Sequence, residues 1–556
     1  MKSFTRFAAH SLVACALVCS LPAYAADADS AIRSGDFTGY LNELTAFLKT
    51  KMAGKADGAS LDALLKDPTA ANALNQRQFI AKIGPDKLGA FAKADAANEA
   101  FLGWVLKSTE AMDQYLEAHV PIHLAAREQN AWTINPGPLE LWRKIVASDP
   151  DAKAGIPMKI AIATAIRPPG TGAPGAGQAK TQSDPLVRYK YFKDAQAAKE
   201  LFPSFDKLTA WDMQYVVSSG ASEADLTWGR EMINTWRPDL RINELVVNST
   251  SEVWRRNSPI SFDNTYKNVL TGGGKCGPRS SWSLFICQAF GVPAIGVGQP
   301  AHACVAYKTV NPMTEPQPGY AWKVGYGRGW PFSKLEGMGG VDFIAGVQER
   351  ENREAFSKVE RLRALAAAVG GSEQTEVMKV AHGVQETSKA EKKDLTASAK
   401  ADEAEKELIP GAAAAAAVKS DAKTPIKIAP DGTTIEANAF SSMLAVRVLN
   451  AHSGGGRQVN FDKSLPSSWV EYTLDVPADG TYALQLKAAA ANDGQFFDVI
   501  VGADAPINLP IANSHGTWAT TVSVELKLKK GTQTLKISAP TQRGVAVRHL
   551  ELKAKG

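Results

Sequence analysis

A thiol at the doorway of a helix is the tightest constraint in this chain. The stretch Gly272-Gly273-Gly274-Lys275-Cys276-Gly277-Pro278 joins glycines, which let another backbone approach closely, to a proline that fits only the first turn of a helix. Behind it, Trp282, Phe285, Ile286, Ala289 and Phe290 recur at three- and four-residue spacing, the pattern of a helix burying one face. Gly291 and Pro293 then stop it. Cys276 therefore sits at the helix start, where unpaired N–H groups and the helix dipole favour an anion, and its thiol should ionise more readily than a free one. The same N–H groups point at whatever the sulfur attacks and can hold an oxyanion.

Downstream, Ala294-Ile295-Gly296-Val297-Gly298 and Ala301-His302-Ala303-Cys304-Val305-Ala306-Tyr307 read as strands around a short turn. The order of glycines, cysteine, helix ending Ala289-Phe290-Gly291-Val292-Pro293-Ala294, strand and histidine resembles the transglutaminase-like superfamily of papain-like cysteine enzymes. The resemblance covers a minority of the chain, and Cys276 to His302 is its specific part. It implies Cys276 as nucleophile and His302 as general base, in acyl transfer or amide hydrolysis through a thioester.

That family sets an acid on the next strand to orient the histidine. Here the next strand candidate is Tyr320-Ala321-Trp322-Lys323-Val324-Gly325-Tyr326-Gly327, which holds neither Asp nor Asn. Tyr326, or Gly325 beside it, stands where the acid is expected, and the nearest downstream acids are Glu336 and Asp342. A missing orienter removes control of the imidazole tautomer and stabilisation of the imidazolium. Three readings stay open: a backbone carbonyl orients His302, the Tyr326 hydroxyl does, or the fold is kept for binding.

Cysteine usage bears on compartment. Lys2 and Arg6 precede an apolar run from Leu12 to Leu21, and Ala23-Tyr24-Ala25 is a signal-peptidase pattern, so cleavage after Ala25 and a periplasmic or secreted location are expected. Leu12-Val13-Ala14-Cys15 offers lipoprotein anchoring at Cys15 as the alternative. Conventional cleavage leaves Cys276, Cys287 and Cys304, an odd set that fits a reactive cysteine better than a disulfide scaffold. Cys287 reads as a small buried hydrophobe, and Cys304 shares a strand face with His302, which makes a Cys287–Cys304 bridge geometrically awkward. No later stretch is long and apolar enough to span a bilayer. The balance of 62 basic against 57 acidic residues makes no case for nucleic acid.

A chain of 556 residues is too long for one core, and the fold class expected is multidomain α+β. Residues 1–25 form the signal peptide and 26–225 a helical N-terminal domain. By the resemblance, residues 226–368 are expected to form the transglutaminase-like α+β domain, 369–427 a Lys/Glu/Ala-rich spacer, and 428–556 an antiparallel β-sandwich. Helix-spaced apolar residues run from Ile32 to Met52, Leu61 to Leu74, Leu88 to His119 and Leu139 to Ser148. Pro168-Pro169-Gly170 to Ala179 reads as a flexible loop.

In the last segment the period changes to two. Val470, Tyr472, Leu474 and Val476 alternate with polar partners, as do Tyr482, Leu484 and Leu486, and Pro477-Ala478-Asp479-Gly480 joins them. The run from Trp469 to Val476 through Gly480-Thr481-Tyr482, with Ile435-Glu436-Ala437 before and Lys530 to Leu535 after, resembles the sandwich family of carbohydrate-binding modules. That resemblance implies polysaccharide as a partner, exposed aromatics as the means, and a structural calcium. Trp518, Phe496 and Phe497 are the candidate stacking platforms, each also readable as inward-facing core. No catalytic metal or other cofactor is expected.

Two functions follow. One is a cysteine hydrolase or acyltransferase acting on an amide of a peptide or glycopeptide, anchored to polysaccharide. The other is a degenerate transglutaminase-like scaffold serving as a glycan-binding or cell-envelope protein. A sugar-cleaving enzyme is disfavoured because no pair of carboxylates is placed for it.

Overall fold

The structure is a computed structural model that describes residues 27–171, 183–242, 244–256, 265–308, 322–390, 418–419, 424–452, 455–461, 467–540 and 544–555. The expected signal peptide, Cys15 and most of the loop from Pro168 to Ala179 lie outside these residues.

The N-terminal region is helical, with more breaks than apolar spacing alone suggests. The span from Leu88 to His119 holds three helices, Pro85–Ala94, Ala96–Val105 and Thr109–His119. Asp95 accepts from the N–H of Ala97 at 2.9 Å and Ser108 from that of Ala111 at 3.2 Å, so each break is a side-chain cap that starts the next helix. Asp67, followed by Pro68, divides Leu61–Leu74 in the same way.

No gap in the core falls at residue 225. The helix Glu223–Trp236 spans that position, and one apolar cluster runs from Ala31 and Ile32 through Phe205, Trp236, Phe285, Val305 and Leu365 to Ala381. The helices of 26–225 and the α+β elements after them thus share a single interior. The expected spacer also begins as packed structure: Gly371–Ala390 is a helix lying on Arg353–Val369. Val377 and Ala381 are buried, and Gln385 bonds Arg363 and Glu349, each at 3.0 Å. Its many Lys and Glu residues cover the outer face and mask this narrow inner stripe.

The middle region carries a five-stranded antiparallel sheet. Its strands are β1 (Ala294–Gln299), β2 (His302–Lys308), β3 (Trp322–Gly325), β4 (Lys334–Leu335) and β5 (Met338–Gly339), arranged in the order β3-β2-β1-β4-β5. β1 and β2 pair from Ala294↔Tyr307 to Gln299↔His302, so Pro300 and Ala301 alone make the turn before the histidine. The cysteine helix, Cys276–Ala289, packs on β2.

The C-terminal region is a β-sandwich of two sheets with its own core, including Tyr472, Leu484, Phe497, Leu535 and Leu550. In one sheet Val545–Ala554 pairs with Arg457–Phe461 and Gly480–Ala490; in the other Gly531–Ala539 lies between Ser468–Val476 and Gln495–Val501. Pro477 to Gly480 therefore crosses from one sheet to the other and does not close a hairpin. The pairings are antiparallel except for Ile426–Lys427 on Leu474 and Asp475.

The sandwich docks on the helical body through the helix Glu223–Trp236. Trp236 Nε1 donates to Gly544 O at 3.1 Å, Asn460 Nδ2 to Trp236 O at 2.8 Å, and Gln458 Nε2 to Thr235 O at 2.9 Å. Trp228 Nε1 adds a bond to His515 O at 3.2 Å.

Candidate active site

Cys276 is the first residue of its helix, and Lys275 before it supplies no side-chain cap. Pro278 at the third position has no N–H to donate, so the N–H groups of Cys276 and Gly277 form the helix mouth. The glycine loop ahead of them is braced by a neighbouring segment: Gly274 N donates to Trp254 O at 2.8 Å, and Arg256 N to Gly274 O at 3.2 Å. Gly273 makes this approach possible. Its φ is +73°, and a Cβ there would stand 2.0 Å from Trp254 O. Trp254 leaves 39% of its surface exposed beside this loop, with the Arg256 guanidinium 4.6 Å from its ring centroid.

One turn into the helix, Ser280 Oγ donates to Cys304 O at 2.6 Å, which pins the start of the helix to β2. Cys276 lies close enough to Cys304 to act on that thiol electrostatically. Burial, with Cys276 adding to it, pushes Cys304 up to about 12. Cys287 is fully buried and its thiol is pushed higher still. The three described cysteines are free, and of these only Cys276 is half-exposed, which leaves it as the one described thiol suited to thiolate chemistry.

His302, half-buried at the first position of β2, has its Nε2 2.7 Å from the carbonyl oxygen of Tyr326. A carbonyl only accepts, so this contact makes Nε2 the protonated nitrogen of the neutral ring and leaves Nδ1 as the basic one. The Tyr326 hydroxyl points elsewhere and donates to Val247 O at 3.2 Å. Burial holds this phenol well above its ordinary value, and Arg279 lies 5.8 Å from the ring centroid. Of the expected orienters, the backbone carbonyl is the one present. Glu336 pairs with Arg167 and takes no part. No hydrogen bond joins the Cys276 thiol to His302 among the described residues, and such contacts are often loose before substrate binds.

Gln299 is a positioning residue that sequence reasoning passed over. Only 8% exposed, its Oε1 accepts from Arg328 N at 2.9 Å, while its Nε2 reaches Gly329 O at 3.2 Å and Ser333 Oγ at 3.0 Å. It thus clamps the bend after β3 that aims the Tyr326 carbonyl. Tyr326 itself holds φ +58°, a left-handed conformation that costs a non-glycine residue about 1 kcal/mol or more. At Gly327 a Cβ would come within 2.5 Å of Cys304 Sγ. The only sequence signal for the clamp was a lone amide at the end of an apolar strand.

The three aromatic candidates in the sandwich part ways. Phe497 is 0% exposed and packs on Phe461 in the core, so it offers no stacking face. Trp518 packs against the interior of the helical body and belongs to the docking interface. Phe496, its side chain alternating with that of Phe497, remains half-exposed. Trp469 is likewise half-exposed on the outer face of the same sheet, with Lys536 Nζ 4.3 Å from its ring centroid. Calcium binds through six to eight oxygens, usually with several carboxylates. Among the described residues no three His, Cys, Asp or Glu side chains converge to hold a metal.

No family model matches the chain, and no curated protein matches it. No helix among the described residues is long and apolar enough to cross a membrane. Among solved structures, the C-terminal part is similar to a family 6 carbohydrate-binding module of a marine laminarinase from Zobellia galactanivorans, at 23% identity over 22% of this chain and 99% of that one, TM-score 0.20. It is similar also to a module of lichenase 5A from Cellvibrio mixtus, in complex with cellotriose, at 20% identity over 22% of this chain and 98% of that one, TM-score 0.21. A family 35 module from Clostridium thermocellum is similar at 17% identity over 22% and 99%, TM-score 0.20.

Proposed function

We propose that the protein is a cysteine-dependent amide hydrolase or acyltransferase of the transglutaminase-like kind. Its substrate is a peptide or glycopeptide, and its C-terminal sandwich holds polysaccharide. The observation that carries the reading is the 2.7 Å contact between His302 Nε2 and Tyr326 O, because it prepares the tautomer a general base needs. In this reading Nδ1 takes the proton of the Cys276 thiol and the thiolate attacks the amide carbon. The N–H groups of Cys276 and Gly277 hold the resulting oxyanion. The imidazolium then protonates the leaving amine, and water or a second amine resolves the thioester. A carbonyl carries no full charge, so it steadies the imidazolium less than a carboxylate does, and slower turnover than in an acid-oriented triad is expected.

Among the described residues no carboxylate bonds His302, which favours the competing reading, a scaffold without catalysis. The rate of Cys276 alkylation by iodoacetamide against pH, with and without His302→Ala, separates the two. Reaction well below an ordinary thiol's pKa, lost in the variant, supports the enzyme. Ordinary thiol behaviour unchanged by the substitution overturns it.

A further inference from the structure

Two side chains of the sandwich reach the segments that hold the loop ahead of Cys276. The first is Asn513. Its Nδ2 donates to Thr271 Oγ1 at 2.9 Å and to Asp493 Oδ1 at 3.2 Å, while its Oδ1 accepts from His515 N at 2.9 Å. A carboxylate oxygen only accepts and a main-chain N–H only donates, so the sandwich's own loops fix which way this amide faces. Thr271 lies in the helix Tyr266–Gly272, whose first residue stacks its ring on Phe285 of the cysteine helix, centroids 3.9 Å apart. That helix runs straight into the glycines before Cys276.

The second is Arg447, whose Nη1 donates to Asp239 Oδ2 at 2.9 Å. Asp239 also takes a two-pronged bond from the buried Arg237, Nε at 2.9 Å and Nη2 at 2.8 Å, and Arg237 Nη1 pairs with Glu252. Planar forks of this kind fix geometry as well as charge. Glu252 stands two residues before Trp254, whose carbonyl accepts from Gly274 N, and Val253 between them is fully buried. The sandwich therefore grips both partners of the brace, the glycine side through Asn513 and the Trp254 side through Arg447. The docking bonds of Gln458 and Asn460 meet a different element, the end of the helix Glu223–Trp236.

We propose that the sandwich is part of the apparatus that places Cys276, with Asn513 and Arg447 as positioning residues acting through Thr271 and through the Arg237 pairs. The inference builds on the reading of Cys276 as the reactive thiol. It adds that the unit assigned to polysaccharide also sets the loop from which that thiol is presented.

Amide hydrogen exchange across residues 273–277, read by mass spectrometry beside the pH profile of Cys276 alkylation, tests this in the full-length protein. Asn513→Ala and Arg447→Ala should each quicken exchange about fivefold, the weight of one hydrogen bond, and move the alkylation profile away from that of wild type. Gln458→Ala, which cuts a docking bond only, should lower Tm and leave both readouts alone. Thr271→Val joined to Asn513→Ala should do no more than either alone, since both remove the same bond. Unchanged exchange in Asn513→Ala or in Arg447→Ala, an equal effect of Gln458→Ala, or additive effects at Thr271 and Asn513 overturns the proposal. Ordinary thiol behaviour in wild type would overturn the catalytic reading instead, and exchange at residues 273–277 would still decide this one.

Discussion

His302 Nε2 and the carbonyl oxygen of Tyr326 lie 2.7 Å apart, so the group that orients the imidazole belongs to the main chain. Its aim depends on how the chain bends after β3, and the Gln299 amide with the left-handed backbone at Tyr326 sets that bend.

Tyr326→Phe should therefore spare the chemistry of Cys276. The substitution removes the bond to Val247 O, a loss of about 0.5–1.5 kcal/mol visible as a lower Tm, but keeps the carbonyl. An alkylation-versus-pH profile that came to resemble that of His302→Ala would show instead that the hydroxyl matters.

Gly273→Ala should damage the site through its frame. The new Cβ would meet Trp254 O at 2.0 Å on a backbone with φ +73°, a clash whose cost we place at about 2 kcal/mol or more. The Gly274–Trp254 brace should open, with a depressed Tm and an altered Cys276 alkylation rate. A wild-type Tm would mean that the loop does not hold this conformation.

His119 should make stability fall in mild acid. Burial lowers its pKa to about 4, against a smaller opposing contribution from the bond to Tyr115 O. An unfolded chain takes up the proton near its ordinary value of about 6.5. The stabilisation is therefore complete above that value and lost as pH drops toward about 4, by at most a few kcal/mol. Below that both states are protonated and the loss stops. Denaturant titrations of wild type and His119→Gln across this window should diverge with that sign; parallel curves would refute it.

Residues 428–556 should fold alone, because the sandwich has a separate core. Circular dichroism of the isolated segment should show β structure. A helical or unfolded spectrum would mean that Trp236 and its neighbours are required to assemble it.

Retention on polysaccharide gels should depend on the outer sheet face. Phe496→Ala and Trp469→Ala should each weaken it about tenfold, roughly 1.4 kcal/mol, with little change in Tm. Phe497→Ala should instead cost about 3–5 kcal/mol of stability. If neither outer-face variant alters retention, the aromatic face is not where polysaccharide sits.

The contrast between Phe496 and Phe497 shows what residue order can and cannot convey. Alternation announced a strand, but its phase came only from the partner strands, so a platform and a core residue were indistinguishable. The places of Cys276 at its helix start and of His302 at the head of β2 were legible because Pro278, the glycines and the apolar spacing each act locally. The orienter was not, since every residue carries a carbonyl and only the bend after β3 selects that of Tyr326. The helix Gly371–Ala390 hid for a related reason: Val377, Ala381 and Gln385 make a stripe too thin to stand out among lysines and glutamates. The boundary expected at residue 225 failed because Glu223–Trp236 serves the units on both sides of it.

That helix has a mechanical consequence. Gly229 lets it come so close to the cysteine helix that a Cβ would meet Phe285 at 2.7 Å, while Gly516 and Gly544 of the sandwich close on its Met232 and Trp236. It is a shared axle, gripped on one side by the element that carries Cys276 and on the other by the sandwich. Under the proposed function, a polymer seated on the sandwich would thus be presented to the thiol at one distance and one angle, unlike a module swinging on a tether, whose reach is a statistical cloud. The site would then read position along a polymer as a ruler does, at a fixed offset from wherever the sandwich had taken hold.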